Sequence, residues 1–353
     1  MKSKTWIKIW LAAVAAALPL LWIVNYTVDP FNVFQNRLLK YTFQINERFL
    51  RIEHLKRHAG EYDSYMLGSS RIGTTLPATV EAYIPGSKFY NFTVPSANLY
   101  DHLMHLKYFL KQGYPLKNLY LQVDIDNMSL YGRIESDYVR KMHPEVVGES
   151  SALFYLDYLS GFFPFNIKRK LRCNKEKRNY IEYAIDTTGV WSRPEKERKA
   201  AEDCKAYVAA ESSFHEPRER SVGAGGMAQS IKALEEIRDL CREHGIGLYL
   251  FTMAHNQSMM DTFKREDYLN FIAALAEVTD FYDFSGYNSV TTNNCNYYEW
   301  SHYRPYVGEW IAARIFGDRS VEVPQDFGVH VDRNNVAAHL ETLRRGIDAR
   351  DAR

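Results

Sequence analysis

The sequence predicts an α/β fold, a three-layer sandwich with a mostly parallel sheet, preceded by a membrane-spanning helix. Three observations indicate this class. Short apolar segments alternate with segments of helical period, which is the order of parallel strands joined by crossover helices. A polar and aromatic segment interrupts that order at about 131–225, which predicts a helical insertion. The first apolar segment is much longer than a strand and carries no charge.

That first segment predicts a transmembrane anchor. Residues 9–24 contain no charged side chain, and with their flanks they reach the ~20 residues that span a bilayer. Lys2, Lys4 and Lys8 precede the segment, so the positive-inside rule places the N-terminus in the cytoplasm and exports the rest. A cleaved signal peptide is the alternative, because residues 13–15 and 15–17 match the A-x-A pattern. Cleavage there leaves the apolar sequence LPLLWIV as a new terminus, so an uncleaved single-pass anchor in a bacterial inner membrane is expected.

The remainder divides into a stalk, one large domain and a tail. We expect an anchor over 1–27, a helical stalk over 28–60, an α/β domain over 61–317 and a polar tail over 318–353. Within the domain, Leu99, Leu103, Leu106 and Leu110 give one apolar helix face, and Gly113 ends that helix. The predicted strands are 62–67, 88–94, 116–125, 246–253 and 280–284, and the predicted helices are 97–112, 228–244, 261–278, 305–316 and 336–350.

Composition excludes some classes of function. Lys and Arg total 44 against 43 for Asp and Glu, so the chain lacks the basic excess of a nucleic-acid-binding protein. The four cysteines are too scattered for a zinc ribbon or a disulfide framework. Export permits a Cys173–Cys204 bridge, although four buried thiols fit the sequence equally well. His102 and His105 share a helix without convergent carboxylates, and no metal or cofactor is expected.

Two short segments carry the candidate chemistry. Gly68-Ser69-Ser70-Arg71 follows the first domain strand, and ligands of open α/β sheets bind at the carboxyl ends of strands. Gly68 permits a tight turn that exposes Ser70 as a nucleophile. Glu299 lies three residues before His302, so its carboxylate can bind the Nδ1 proton and leave Nε2 to deprotonate a serine.

A serine, an acid and a histidine in this order resemble the SGNH/GDSL hydrolase superfamily. The sequence resembles its membrane-anchored cell-envelope branch, which includes proteins of lipoteichoic-acid D-alanylation and alginate O-acetylation. Their first block often reads Gly-Ser-Ser, as at residues 68–70. The resemblance covers about 60–130 and 228–317, and it implies an SGNH/flavodoxin-like sheet with Ser70 as nucleophile, His302 as base and Glu299 as acid.

The family's other blocks have no clear counterpart here. Glu299 stands where the family has Asp, and the strand that carries its third block ends in Asp124-Ile125-Asp126-Asn127. The resemblance therefore implies an oxyanion hole made by the backbone N–H of Ser70 with Asn91 or Asn127. Arg71 either steers an anionic substrate or pairs with a carboxylate, and His255 either lines the cleft or is an ordinary loop histidine.

Two functions follow as expectations. In the first, an esterase or O-acyltransferase acts on acyl groups, with acetyl expected, of an envelope polysaccharide through an acyl-serine. An integral membrane acyl-donor protein is then the expected partner. In the second, the domain is a catalytically inactive scaffold of the same fold that binds glycan or a membrane partner during polysaccharide assembly.

Overall fold

The computed structural model describes residues 3–133, 137–216, 218–223 and 225–352. Lys2, the side chain of Lys4 and insertion residues 134–136, 217 and 224 lie outside this description. The strands are β1 (Ser64–Leu67), β2 (Phe89–Asn91), β3 (Asn118–Val123), β4 (Glu182–Tyr183), β5 (Trp191–Ser192), β6 (Gly247–Thr252), β7 (Phe281–Asp283), β8 (Tyr297–Glu299), β9 (His302–Tyr303) and β10 (Val329–Val331). The helices are α1 (Ser3–Val28), α2 (Glu47–His58), α3 (Pro77–Glu81), α4 (Leu99–Gln112), α5 (Ile125–Met128), α6 (Pro144–Val147), α7 (Ser151–Ser160), α8 (Pro164–Glu176), α9 (Pro194–Glu202), α10 (Cys204–Ala210), α11 (Met227–Glu243), α12 (Gln257–Met260), α13 (Arg265–Val278), α14 (Pro305–Phe316) and α15 (Val336–Asp351).

The chain forms two compact units. One combines residues 1–54 with 134–182, and the other combines 55–133 with 183–353. The expected insertion is therefore divided, because its first part groups with the N-terminal helix and its second part groups with the sheet.

The second unit contains a six-stranded sheet in the order β10-β7-β6-β3-β1-β2. β2, β1, β3, β6 and β7 are parallel, and β10 is antiparallel to β7. The prediction of an α/β fold with a mostly parallel sheet is confirmed. The chain moves from β1 to β2 on one side and then returns to β3 on the other, so the carboxyl ends of β1 and β3 border the crevice where doubly wound sheets bind ligands.

Alternating side chains of the buried strands pack against helices on both faces. Tyr65 stacks on Phe109 of α4, with ring centroids 4.7 Å apart. The next residue, Met66, points to the opposite face and joins a cluster that contains Val80 of α3 and Ile311 of α14. α11 packs against α4 and α13, which completes the helical layer on the first face.

The expected tail is part of the sheet domain. β10 extends the sheet at its edge, and α15 packs against α13. His339 of α15 is 2.6 Å from the buried carboxylate of Asp283 at the end of β7, and Thr252 at the end of β6 donates to the same carboxylate. The period-3.6 pattern predicts α15, but only the fold shows that this helix has a partner.

A continuous helical stalk over 28–60 is wrong, because α1 ends at Val28 and the next helix, α2, begins only at Glu47. Pro30 follows the end of α1 and lacks the N–H that a continuing helix needs. The backbone is left-handed at Asp29, Asn32 and Gln35, with φ of 44°, 59° and 52°, which also breaks helical geometry.

Helix α1 fits the expected anchor by length and composition. Thr5–Val28 is a stretch of 24 residues that is long and apolar enough to cross a membrane. In the same unit α1 packs against α7 and α8. An aromatic cluster that includes Phe31, Phe49 and Tyr158 forms the core of this unit.

Candidate active site

Ser70 lies where β1 ends, at the crevice between the carboxyl ends of β1 and β3. It begins a short 3-10 turn over Ser70–Ile72. A side chain at Gly68 would meet Gln122 of β3, since a Cβ there would lie 3.0 Å from the Gln122 Cβ. Gln122 Oε1 accepts the Ser69 N–H at 3.0 Å, so the absence of a side chain at Gly68 lets β3 hold the start of the serine loop.

Glu299 and His302 face this serine from the ribbon formed by β8 and β9. The two residues are paired across the ribbon, with Trp300 and Ser301 in the connecting turn. His302 Nε2 is 2.9 Å from Ser70 Oγ, and His302 Nδ1 is hydrogen-bonded to Glu299 Oε1. The structure thus aligns a hydroxyl, an imidazole and a carboxylate, although the three residues lie on segments that are 232 residues apart in the chain.

The carboxylate of this array is held in its ionised form. Burial alone would raise the pKa of Glu299, but the neighbouring His302, Arg193 and Lys196 outweigh burial and lower it to about 2. An ionised Glu299 accepts the Nδ1 proton of His302, which leaves Nε2 as an acceptor for the Ser70 hydroxyl. The array is therefore set up for proton transfer from Ser70 to His302.

Arg71 connects the serine loop to β3 and to the histidine ribbon. Its Nη1 donates to Asp124 Oδ2 at 2.6 Å and to Asp126 Oδ1 at 2.9 Å, and its Nη2 donates to Asp126 Oδ2 at 2.5 Å. Its Nε donates to Ser301 Oγ at 3.3 Å. Arg71 is 7% exposed, so its guanidinium binds groups inside the domain and not the solvent.

The pKa values of the two carboxyl groups that bind Arg71 are shifted in opposite directions. Burial raises the pKa of Asp124, and Gln122 Nε2 donates to the same carboxylate at 2.6 Å. For Asp126 the effect of burial is outweighed by the Arg71 charge, which lowers its pKa. The carboxylates of Asp124 and Asp126 and the ring of His255 offer ligand atoms within 4.8 Å of one another. Arg71 already binds both carboxylates. Its guanidinium therefore supplies the positive charge of this cluster, and we do not interpret the cluster as a metal site.

His255 is buried beside this cluster. Burial, reinforced by the Arg71 charge, lowers its pKa to about 3, so the ring is neutral near pH 7. In the described part of the chain neither of its ring nitrogens has a hydrogen-bond partner. The sequence offered a cleft or an ordinary loop position for His255, and the structure places it 1% exposed against Phe263.

The two asparagines implied as oxyanion donors have other hydrogen bonds. Asn91 is fully buried, and its Nδ2 donates to the carbonyls of Ile72 and Thr75 at 3.1 and 2.9 Å. It therefore supports the loop after Ser70. Asn127 donates its backbone N–H to Asp124 Oδ1 at 3.1 Å, and its side-chain amide lies 3.4 Å from Asp124 Oδ2.

The insertion contributes two site residues that the sequence did not suggest. Trp191 Nε1 donates to the Ser70 carbonyl at 3.1 Å, and its ring meets the His302 ring edge-on at 5.4 Å. A Cβ at Gly73 would lie 2.1 Å from Trp191 Nε1, so this approach requires glycine. Arg193 Nη1 lies 3.8 Å from Glu299 Oε1. In the sequence these two residues appear only as part of a Trp-Ser-Arg triplet in a charged region. Such a triplet is too common to identify site residues.

A disulfide attaches the insertion to the segment before β8. It joins Cys204 at the start of α10 to Cys295, with Cα atoms 5.6 Å apart, and the bridge that the sequence allowed between Cys173 and Cys204 is wrong. Cys173 and Cys241 are buried free thiols. The sequence could not choose this partner, because the two cysteines are 91 residues apart and their proximity depends on the tertiary fold.

Comparison with known proteins adds no relative. The sequence matches no family model, and it is not significantly similar to any curated protein. We therefore infer the function from the geometry of the site and from the motif resemblance.

We expect Arg71 to be essential for holding the serine loop and the histidine ribbon together. Arg71→Ala leaves the buried carboxyl of Asp124 and the partly buried carboxylate of Asp126 without their cation, which costs about 3–5 kcal/mol. Arg71→Lys restores the charge but not the planar fork, so its free energy of unfolding should be intermediate. Chemical denaturation measures these values, and hydrogen exchange should speed up in the peptides that contain Ser70 and Ser301.

Arg265→Ala is the matched control for Arg71, because Arg265 pairs with the exposed Asp348. Loss of an exposed pair costs about 1 kcal/mol or less. Equal destabilisation by Arg71→Ala and Arg265→Ala, with unchanged exchange near Ser70 and Ser301, would contradict the bracing role.

Removal of the disulfide should loosen the insertion and the histidine ribbon together. The double variant Cys204→Ser with Cys295→Ser should lose about 2–4 kcal/mol of unfolding free energy, because a long loop is no longer closed in the unfolded chain. Dithiothreitol should lower the melting temperature of the unsubstituted protein and leave that of the double variant unchanged. Detection of four free thiols in the unreduced protein after unfolding would show that the bridge does not form.

Proposed function

We propose that the chain is an SGNH-type serine esterase or O-acyltransferase, anchored in the bacterial inner membrane with its catalytic domain on the extracytoplasmic side. The alignment of Ser70, His302 and Glu299 at the carboxyl ends of β1 and β3 carries this proposal. The motif resemblance adds the substrate, which is an acyl ester of an envelope polysaccharide, with acetyl as the acyl group.

The proposed chemistry proceeds through an acyl-serine. His302 Nε2 takes the Ser70 proton while Ser70 Oγ forms a bond to the acyl carbon, and Glu299 stabilises the resulting imidazolium. The bond from the acyl carbon to the leaving oxygen then breaks, and His302 returns the proton to that oxygen. Water completes hydrolysis, or a sugar hydroxyl completes transfer, by attacking the acyl-serine while its proton passes to His302. The bond from the acyl carbon to Ser70 Oγ then breaks, and His302 returns the proton to Ser70.

Backbone N–H groups at the serine turn would stabilise the negative oxygen of the tetrahedral intermediate. Asn91 is committed to two carbonyls, and the side-chain amide of Asn127 donates to Asp124. The donor kept from the sequence-based expectation is therefore the Ser70 N–H. The first N–H groups of a helical turn have no acceptor inside the turn. A developing oxyanion at the start of Ser70–Ile72 is therefore well placed to receive them.

A fluorophosphonate probe tests the nucleophile. The intact protein should be labelled, Ser70→Ala should abolish labelling, and His302→Ala should slow it about 10²–10⁴-fold because the general base is lost. Ser69→Ala is the matched control, since Ser69 Oγ is hydrogen-bonded to Gln122 and not to His302. If labelling survives in Ser70→Ala and disappears in Ser69→Ala, then Ser69 is the nucleophile and the role proposed for Ser70 is wrong.

The inactive scaffold is the competing function, and the commitment of Asn91 to backbone carbonyls favours it. The same variants separate the two functions in cells. If the intact protein is not labelled, and if Ser70→Ala and His302→Ala leave the acyl content of the envelope polysaccharide unchanged, the enzymatic proposal is overturned in favour of the scaffold.

The proposed orientation can be tested with paired reporters. Alkaline phosphatase fused after residue 60 should be active because it folds only outside the cytoplasm, and green fluorescent protein fused at the same position and exported through the general secretion route should be dark. Fusions of both reporters to a chain without residues 5–28 serve as controls and should give the opposite pair of signals. Fluorescence with inactive phosphatase in the full-length fusion would mean that the domain stays in the cytoplasm.

A further inference from the structure

The first unit exposes a group of large apolar side chains close to the end of helix α1. Phe162, between α7 and α8, is 82% exposed, and Leu153 of α7 is 67% exposed. Leu156 and Phe165 are also exposed, at 41% and 56%. We name these four residues the apolar platform. All four lie within residues 153–165, and a concentration of large exposed apolar side chains in one short segment indicates an interaction surface.

The turn between α7 and α8 is fixed to the last turns of α1. Trp22 Nε1 donates to Ser160 Oγ at 3.1 Å. Asn25, which is fully buried, donates to the carbonyls of Leu159 and Gly161 at 2.7 and 2.8 Å. Phe162 follows this turn directly, so its depth relative to α1 is set by these three hydrogen bonds.

This attachment places the platform at the edge of the proposed membrane span. Trp22 lies six residues before Val28, the last residue of α1, which is about 9 Å along a helix axis. The interfacial layer on each side of a bilayer is about 5–8 Å thick, and tryptophan is enriched there. If α1 spans the bilayer, the turn at Ser160–Phe162 lies at the boundary between hydrocarbon and headgroups.

Helix α8 and the two residues that follow it add positive charge next to the platform. Residues 164–178 contain seven basic residues, Lys168, Arg169, Lys170, Arg172, Lys175, Lys177 and Arg178, against the single acid Glu176. Lys170 is used internally, where its Nζ donates to the Asp29 carbonyl, and Arg172 and Arg178 share the carboxylate of Glu176, so the segment keeps a net positive charge. Arg169 lies over the rings of Phe43 and Phe165, at 5.1 and 5.0 Å, so a cation is held beside an exposed aromatic ring.

We propose that the apolar platform and α8 seat the first unit on a bilayer that contains anionic phospholipid. Phe162, Leu156 and their neighbours enter the headgroup layer, and the basic side chains of α8 face the phosphates, as in other interfacial helices. The occupant is lipid, because the surface is continuous with α1 and combines apolar and basic groups. The proposal rests on α1 as a membrane span, and it does not depend on catalysis.

Depth-dependent quenching tests the proposal on the full chain in nanodiscs of phosphatidylethanolamine and phosphatidylglycerol. Single variants Phe162→Cys and Leu156→Cys carry an NBD label, and lipids with a doxyl group near the headgroup quench it. Glu243→Cys on α11 is the exposed control, and Leu18→Cys with a deep doxyl group reports on the span. The unsubstituted chain, whose Cys173 and Cys241 are buried, measures background labelling.

We expect at least twofold stronger shallow quenching at positions 162 and 156 than at 243, and weaker quenching when phosphatidylcholine replaces phosphatidylglycerol. Quenching at 18 with values at 162 and 156 equal to the control overturns the platform and leaves the span intact. Lack of quenching at 18 overturns both. Equal quenching at 162 in the two lipid mixtures overturns the part assigned to α8, and none of these outcomes bears on the fluorophosphonate result.

Discussion

The buried ion pairs of Arg71 are the interaction on which the candidate site depends. Arg71 follows Ser70 in the chain, and its bonds to Asp124, Asp126 and Ser301 join the serine loop to the segment directly after β3 and to the histidine ribbon. A buried pair of this kind contributes little net stability, but the loss of one partner is costly. The role of Arg71 is therefore to fix geometry. Its four directed hydrogen bonds hold the serine loop in one position relative to His302.

A second layer of long-range contacts supports the same geometry from the insertion. Trp191 holds the Ser70 carbonyl and the His302 ring, and the disulfide between Cys204 and Cys295 fixes the chain just before the ribbon. Arg304 adds an ion pair to Glu197 of α9 at 2.6 Å. The part of the insertion that packs in the sheet domain is thus a component of the site, whereas residues 134–182 belong to the unit that contains α1.

The residues that could be predicted from sequence are those whose signal is local. Alternation of apolar segments with helical periods predicts β1, β3, α4 and α14 to within a few residues. Gly68 before Ser70 and the short spacing of Glu299 and His302 are also local. Trp191, Arg193 and the partner of Cys204 were not predictable, because their importance depends on contacts across the fold. The helical stalk predicted over 28–60 is too long, because a periodic pattern of apolar residues does not reveal the left-handed backbone of the residues after Pro30.

The charges around Ser70 constrain how the proposed reaction can be stabilised. Four of the five N–H donors of Arg71 are used by Asp124, Asp126 and Ser301, and Arg193 lies next to Glu299. These cations are therefore matched by carboxylates before a substrate arrives. A negative tetrahedral oxygen must then be stabilised by backbone dipoles at the serine turn rather than by an ion pair. For the reaction proposed above, this charge balance would favour a neutral acyl group such as acetyl, because an anionic acyl group would need a cation that these residues have already committed.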